Sequence, residues 1–539
     1  MSRRAIAAAY LAATFFAFPQ PLPGWLPDWL AGWPPFAGAA GAGAADAVLD
    51  LGWLCAWLSP ALLLLVLRGL APKRALWWGF ALGLLSHAAI LHWSYVAVVR
   101  YGQAPVWAGA AAPFAIAVQP ALCTAAFGAG AAWLARRGAD SPLALAAWWT
   151  ALDQLRSVLL SGFTWATLGY AQHRNPLLMG LAPWCGVYGL SFATVFCAAA
   201  LRGFWGPPGG WRRGLRLAPA LLAAAALHLA GWLGGWAAQP GESGHPLRVA
   251  VLQGNIEQGV KWERAWAERT LGIYETLSRR AAAEGAELLL WPETAVPGSL
   301  EDPALRARLQ ALSRETGAAL VVGALGMETG GGALRFYDSA YAISPRGAAL
   351  RYDKTHLVPF GEYLPFRPLL GRFVRALAQV GGDVTPGARV HSLELTEPAL
   401  RAGVPICYEL LFPDLVRRFA ADGAQALLAI TNDAWYGRSG APYQFLAITA
   451  LRAAETGLDS ARAANTGVSA LIDGRGRVLQ RTAIFERGFL VGELRLRPAG
   501  DAGTFYARRG DLFAWSCWVA AAACFALAGR GGLRSGRKR

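Results

Sequence analysis

Three polar residues in the middle of this 539-residue chain stand directly after apolar, strand-like runs. Glu293 follows ELLLW in WPETAVP, Lys354 lies in YDKTHLVPFGEYLP just past residues 350–352, and Cys407 lies at the end of AGVPICY. Side chains at strand ends can converge on one edge of a sheet, and glycine and proline after the first two redirect the chain. The three types make a complete acyl-transfer set. A thiol becomes nucleophilic when a carboxylate within reach takes its proton, and an ammonium group steadies the oxyanion of a tetrahedral intermediate. Taken singly each residue has a plainer reading. An isolated cysteine at a strand end is more often a small buried hydrophobe, a glutamate there an exposed cap, a loop lysine a solvated charge. Location favours the chemistry. Of seven cysteines, Cys55, Cys123, Cys185 and Cys197 fall in the apolar first half and Cys517 and Cys524 in the last apolar run, so Cys407 has no disulfide partner in the polar region.

The elements that must position these groups read as α/β. Strand-like runs cover 247–253, 287–291, 319–324, 338–344, 402–408, 426–431 and 467–473, with helical patterns at 262–283, 302–316, 411–421 and 443–456 between them. Buried strands alternating with amphipathic helices predict a layered fold with covered sheets. There is no phosphate-cradling glycine loop and no paired Cys/His spacing, so nucleotide and zinc chemistry lack support; no metal and no cofactor is expected.

The rest of the chain needs a solvent other than water. Hydrophobic residues make up 55% and charged residues 16%, against about a quarter charged in soluble domains. The net charge of +16 does not mark a nucleic-acid groove, because residues 241–510 hold 31 Lys and Arg against 28 Asp and Glu. The excess sits between apolar runs, at Arg3/Arg4, Arg68/Lys73/Arg74, Arg136/Arg137, Arg202 to Arg216 and the C-terminal tail. Crossings are expected near 5–22, 47–69, 75–99, 106–134, 142–162, 177–201, 217–237 and 511–529, each about the length a bilayer requires. Eight crossings put every basic cluster in the cytoplasm and residues 240–510 outside. The expected organisation is a membrane domain over 1–239 with about seven helices, a catalytic domain over 240–510, and a last helix with a basic tail over 511–539. The Trp/Pro-rich stretch 24–44 reads as either interfacial or spanning. Asp153 and Arg156, charged within an apolar run, read as an internal ion pair or as a substrate contact.

The motifs WPE, YDKTHLVPFGEYLP, ICYE and TNDAWYG resemble the nitrilase (carbon–nitrogen hydrolase) superfamily, whose members use a Glu–Lys–Cys triad. With QGNIEQGVKW, LHWSYVAV, GFTWATLGYAQ, GLAPWCGVYGLSF and TFYARRGDLFAW, the whole chain is similar to one branch, the bacterial apolipoprotein N-acyltransferases. The resemblance implies a multi-span helical membrane domain plus a nitrilase-like α-β-β-α sandwich on the periplasmic side of the inner membrane, with both termini cytoplasmic. It implies Cys407 as nucleophile, Glu293 as general base and Lys354 as oxyanion stabiliser. Glu362, Tyr408 and Glu409 match supporting positions, and Trp262 and Trp435 match aromatics that contact lipid or gate the site. His356, beside Lys354, is expected to make a structural hydrogen bond. The implied acyl donor is a phospholipid, the acceptor a diacylglyceryl apolipoprotein, the setting a bilayer, and the enzyme a monomer. Asp153 stands where the family commonly has Glu. A site held against the leaflet also avoids moving acyl chains into water, at about 0.8 kcal/mol per CH₂.

Shielding of the thioester from water is expected from an apolar loop, 364–382, acting as a lid. A membrane amidase or nitrile hydrolase using the same triad with water as acceptor remains a rival, as does a non-catalytic transporter or scaffold.

Overall fold

The computed structural model describes residues 2–21, 48–202, 210–237, 244–259, 261, 264–330, 333–347, 349–365 and 384–536. In strand β1 (Pro246–Gln253), Val249 and Val251 join one buried cluster and Ala250 and Leu252 another. A strand apolar on both faces must be covered on both, and this one is. The same alternation runs through β2 (Leu288–Leu290), β3 (Ala319–Gly330) and β4 (Ala333–Ile343). With β5 (Leu350–Asp353) and β12 (Gly488–Arg495) they form a sheet ordered β12-β1-β2-β3-β4-β5. Helices α8 (Arg264–Ala283) and α9 (Pro303–Thr316) cover its outer face through Leu271, Tyr274, Leu277 and Leu309.

A second six-stranded sheet packs on the inner face of the first. It contains β6 (Leu393–Thr396), β7 (Ala399–Gly403), β8 (Ala426–Thr431), β9 (Ser460–Ala464), β10 (Ala470–Ile472) and β11 (Val478–Arg481), in the order β11-β10-β9-β8-β7-β6. Helices α10 (Pro413–Ala421) and α11 (Ala441–Thr456) cover its outer face, completing the expected α-β-β-α sandwich. Strands β6, β9, β11 and β12 go beyond the sequence reading: three are short or carry exposed alternate residues, and β9 buries an arginine, Arg462. The strand expected over 402–408 stops at Gly403. Beyond it only Ile406 bridges to Ile430, and Cys407 opens a 3-10 turn, Cys407–Leu411, because its φ of +49° cannot continue a strand.

The first half is helical: α1 (Arg3–Phe16), α2 (Gly52–Leu67), α3 (Pro72–Ile90), α4 (Val106–Ala135), α5 (Pro142–Arg156), α6 (Ala182–Leu201) and α7 (Gly210–Ala237); α12 (Leu512–Gly536) returns at the end. Among the described residues, α4, α6 and the Leu512–Arg530 part of α12 are long and apolar enough to cross a membrane. A fourth follows if α3 and the segment to Tyr101, bent by 66°, count as one. Several expected spans are therefore shorter than predicted. The run 142–162 ends as helix at Arg156, where Leu160, Ser161 and Gly162 all take positive φ. The run 177–201 is broken ahead of α6. The stretch 24–44 lies outside the described residues.

Asp153 and Arg156 pair at 3.6 Å within α5, and the guanidinium also donates to the Trp165 carbonyl at 2.6 Å. The internal-pair reading fits this geometry, and the pair holds the loop that follows α5.

That loop docks the catalytic region. Thr164 Oγ1 and the Tyr170 hydroxyl donate to the Leu411 carbonyl at 2.6 and 3.3 Å, and the Tyr408 hydroxyl donates to the Gly162 carbonyl at 3.2 Å. Helix α11 is buried along its whole length between the second sheet and α6. Gly186, at φ +62°, interrupts the first turns of α6 and leaves the Val187 N–H to bond Glu455 Oε1 at 2.7 Å. A side chain at 186 would meet the Tyr506 ring at 2.5 Å, so glycine is required there by both space and conformation.

Candidate active site

The two sheets bring four loops to one edge. Lys354, fully buried just past β5, donates to Glu293 Oε1 at 3.1 Å, to Asp338 Oδ2 at 3.1 Å and to Glu362 Oε1 at 2.5 Å. An ammonium has three N–H bonds, so this one is saturated. The carboxylate oxygens of Glu293, Asp338 and Glu362 lie within 4.8 Å of one another, a spacing that suits a metal ion. Here the Lys354 ammonium is bonded to all three and takes the place of the cation.

Burial would raise the Glu293 pKa, but the Lys354 ammonium and hydrogen bonds from Asp338 and Cys407 hold it below the ordinary carboxylate value. Glu293 Oε2 also accepts the Asn432 N–H at 2.8 Å. Asp338 is driven the other way. Burial pushes it well up, Glu293 and Glu362 add to the rise, and Lys354 offsets only part of it. Of the two carboxyls, Glu293 is thus the one favoured to carry the negative charge. Burial also raises Glu362, which accepts the Val358 N–H at 2.8 Å.

Cys407 is buried, and burial followed by the Glu293 charge pushes its thiol well up while Lys354 pulls it down. The resting pair is thus a thiol beside a carboxylate. The positive φ of Cys407 is an uncommon backbone state for a side chain with a Cβ, and such strain costs about 1–3 kcal/mol. Glu409 holds it in place: Oε2 accepts the Ile406 N–H at 2.9 Å, while Oε1 accepts the Thr355 N–H at 2.7 Å and the Thr355 and Tyr352 hydroxyls at 2.8 Å. One carboxylate thereby ties the turn bearing the thiol to the segment bearing Lys354. Glu409 does not bond Lys354 itself.

The other predicted residues lie further out. The Tyr408 ring packs edge-on to Phe412, 5.2 Å between centroids. The His356 ring lies 3.8 Å from Phe412, its pKa lowered chiefly by burial, so it packs as a neutral ring. Trp435 is half-buried and meets Tyr101 edge-on at 5.4 Å, joining the site's rim to the helical half. Trp262 lies outside the described residues, as do residues 366–382 of the expected lid.

Sequence reasoning missed several groups. Lys261, next to Trp262, donates to the Glu293 carbonyl at 3.2 Å and to Thr294 Oγ1 at 2.5 Å; burial brings it down to about 8 despite Glu293 and Asp338. Asp338 was legible in principle, because it occupies an inward position of β4 in phase with Ala340 and Ala342. The TNDAWYG motif supplies more than its tryptophan. The Thr431 hydroxyl lies 2.8 Å from Asp433 Oδ1 and 3.5 Å from Cys407 Sγ, within donating reach of either. Asp433 in turn pairs with Arg462 at 2.7 Å, both fully buried. Arg462→Met leaves that carboxylate unpaired and is expected to cost about 3–5 kcal/mol, read as a lowered unfolding midpoint of the detergent-solubilised protein.

The carbon-nitrogen hydrolase family model matches residues 248–502, and that of the apolipoprotein N-acyltransferase N-terminal domain matches residues 37–200. The apolipoprotein N-acyltransferase of Geobacter metallireducens is 40% identical over 494 residues, covering 88% of this chain and 91% of that protein. Its counterpart from Azotobacter vinelandii is 38% identical over 481 residues, covering 86% and 90%. Among solved structures, an amidase of the nitrilase superfamily from Nesterenkonia AN1 is 24% identical with a TM-score of 0.37, covering 50% of this chain and 97% of that one.

Proposed function

Because the chain belongs to the apolipoprotein N-acyltransferases, we propose that its acyl transfer runs through a thioester on Cys407. The enzyme moves a fatty acyl chain to the α-amino group of the diacylglyceryl-cysteine of an apolipoprotein. Glu293 takes the thiol proton as sulfur attacks the ester carbonyl of a phospholipid. The tetrahedral oxyanion forms in the field of Lys354. Collapse breaks the ester C–O bond, and the departing lysophospholipid alcohol takes the proton from Glu293. In the second half the lipoprotein amine attacks the thioester, Glu293 accepts its proton, and that proton returns to the departing thiolate. Atoms and charge balance in each half, as a ping-pong sequence requires.

The observation that carries this reading is the buried convergence of Cys407, Glu293 and Lys354 on a face clamped to apolar helices. Since the three Lys354 N–H bonds are on carboxyl groups, it acts first through charge. Glu362 and Glu409 position the triad, and Tyr408 packs behind the nucleophile. Trp435, and Trp262 by its place in the motif, line the lipid approach. The catalytic domain spans about residues 240–510 outside the membrane, with the helices before and after it spanning and both termini cytoplasmic; the enzyme works as a monomer.

The test is transfer from a labelled phospholipid to a synthetic diacylglyceryl-cysteine peptide in vesicles. Labelled N-acyl peptide supports the reading, whereas release of free fatty acid with no acylated peptide would assign the site to a hydrolase.

The pH profile has a defined sign. Glu293 is held below its ordinary value, so its basic form persists as pH falls, and Cys407 acylation stays level from pH 7 to about 5 before declining. Lys261 loses its proton as pH rises through about 8, removing a positive charge beside Glu293, so acylation declines there too. Single-turnover rates across pH 4–10 check both limbs, and Lys261→Met is expected to remove the upper one.

A further inference from the structure

A cavity of about 560 Å³ lies at the junction of the helical and catalytic halves, away from the triad. It runs along α11 from Tyr443 to Ala454, and its far wall is the turn between β10 and β11. Cys407 stands beside the Ile406–Ile430 bridge, near the C-terminal end of β8. The β10–β11 turn stands at the opposite end, because Ile472 pairs with Ser460, the first residue of β9. No triad residue lines the cavity.

Its lining mixes cationic and apolar side chains. Arg174, Arg475, Arg477 and Arg481 are among the residues that line it, together with apolar Met179 and Trp232. Two nearby carboxylates neutralise part of this charge: Asp50 lies 3.7 Å from Arg174, and Asp473 lies 2.6 Å from Arg477. The Arg481 guanidinium lies over the Tyr443 ring at 5.7 Å. Arg475 makes no side-chain hydrogen bond or ion pair among the described residues. The turn is rigid: the Arg475 and Arg477 N–H groups both bond Asp473 Oδ1, at 3.0 and 2.8 Å. Gly476, at φ +77°, lets the turn lie against the helical half, since a Cβ there would stand 2.6 Å from both Met179 and the Ala450 carbonyl. Trp232 and Gly235 belong to the end of α7 that leads into the catalytic domain.

We propose that this cavity binds the headgroup of an anionic phospholipid, with the phosphate among the arginines and the acyl chains running down past Met179 and Trp232. The site is structural and separate from the donor subsite: a resident lipid bridges the β10–β11 turn to α7 and α11 and holds the catalytic half against the bilayer. The volume suits a headgroup and the start of its chains, within the about 300–1,000 Å³ of ordinary ligand pockets. Several cations around one cavity match a lipid phosphate better than a zwitterion whose own cation they would repel. The inference rests on α7 lying in the membrane, as proposed above.

The test is native mass spectrometry of the full-length protein in detergent, titrated with short-chain phosphatidylglycerol and, separately, phosphatidylcholine. The native protein is expected to retain phosphatidylglycerol in preference. Arg174→Gln/Arg475→Gln is expected to weaken it about thirtyfold, about fivefold for each cation removed near an anionic headgroup. Arg475→Glu alone, which leaves the Arg174–Asp50 pair intact, is expected to act in the same direction. Cys407 acylation in each variant is read separately, so failure of the lipid site and failure of the thioester reading are distinguishable. Equal retention of the two lipids by the native protein, or undiminished phosphatidylglycerol binding by the variants, overturns the proposal. Displacement of the lipid by millimolar glycerol 3-phosphate would also overturn it, assigning the cavity to a free phosphate compound.

Discussion

Cys407→Ser is expected to reduce transfer to the diacylglyceryl-cysteine peptide by at least about 10⁴-fold, the scale seen when a covalent nucleophile is removed. The substitution changes one buried atom and leaves the Glu409 bonds to Ile406 and Thr355 in place, so the fold survives and the loss is chemical. A serine hydroxyl is a far weaker acid than a thiol, and the Glu293 carboxylate, held below its ordinary value by Lys354, is too weak a base to ionise it. Initial-rate assays with equal amounts of folded protein check this. Retention of more than about a tenth of native turnover would show that Cys407 is not on the reaction path.

Lys354→Met is expected to lower turnover by about 10³-fold, the upper end of the loss from a single oxyanion donor. Two effects combine. The oxyanion loses the cation in whose field it forms. The Glu293 carboxylate also loses the partner that keeps it charged, so burial raises its pKa and favours its protonated form. An enzyme with a protonated base recovers at higher pH, so the acidic limb of the profile is expected to move upward in this variant. A rate loss with an unshifted acidic limb would confine Lys354 to the oxyanion. Burial already holds Asp338 and Glu362 above their ordinary values, which favours their uptake of a proton once the lysine is gone.

Much of this site was legible because its chemistry sits in short segments that follow strong strand signals. ELLLW places Glu293 after β2, and the LRYD strand delivers Lys354. Cys407 was placed correctly in space but on the wrong element, since nothing in AGVPICY indicates that the nucleophile occupies a left-handed turn. That conformation is imposed by long-range bonds through Glu409 to Thr355 and Tyr352, fifty residues and more away. Asp338 and Lys261 were missed for a related reason: each matters through a partner that only the packed sheets bring near. The edge strands β6 and β11 were hidden because one exposed face leaves too few apolar residues to mark a period. The helical half was legible in composition but not in bounds. A run such as 142–162 stays apolar past Arg156, and hydropathy cannot register the positive-φ turn at 160–162 that ends the helix there.

Acyl transfer by this route requires a covalent bond between a lipid acyl group and one sulfur atom. Intact mass spectrometry of the full-length protein after incubation with phospholipid, with no acceptor present, measures it directly. The expected result is a mass increase of one acyl group, removed by neutral hydroxylamine and missing from Cys407→Ser. A native protein that stays unmodified while still acylating the peptide would contradict it.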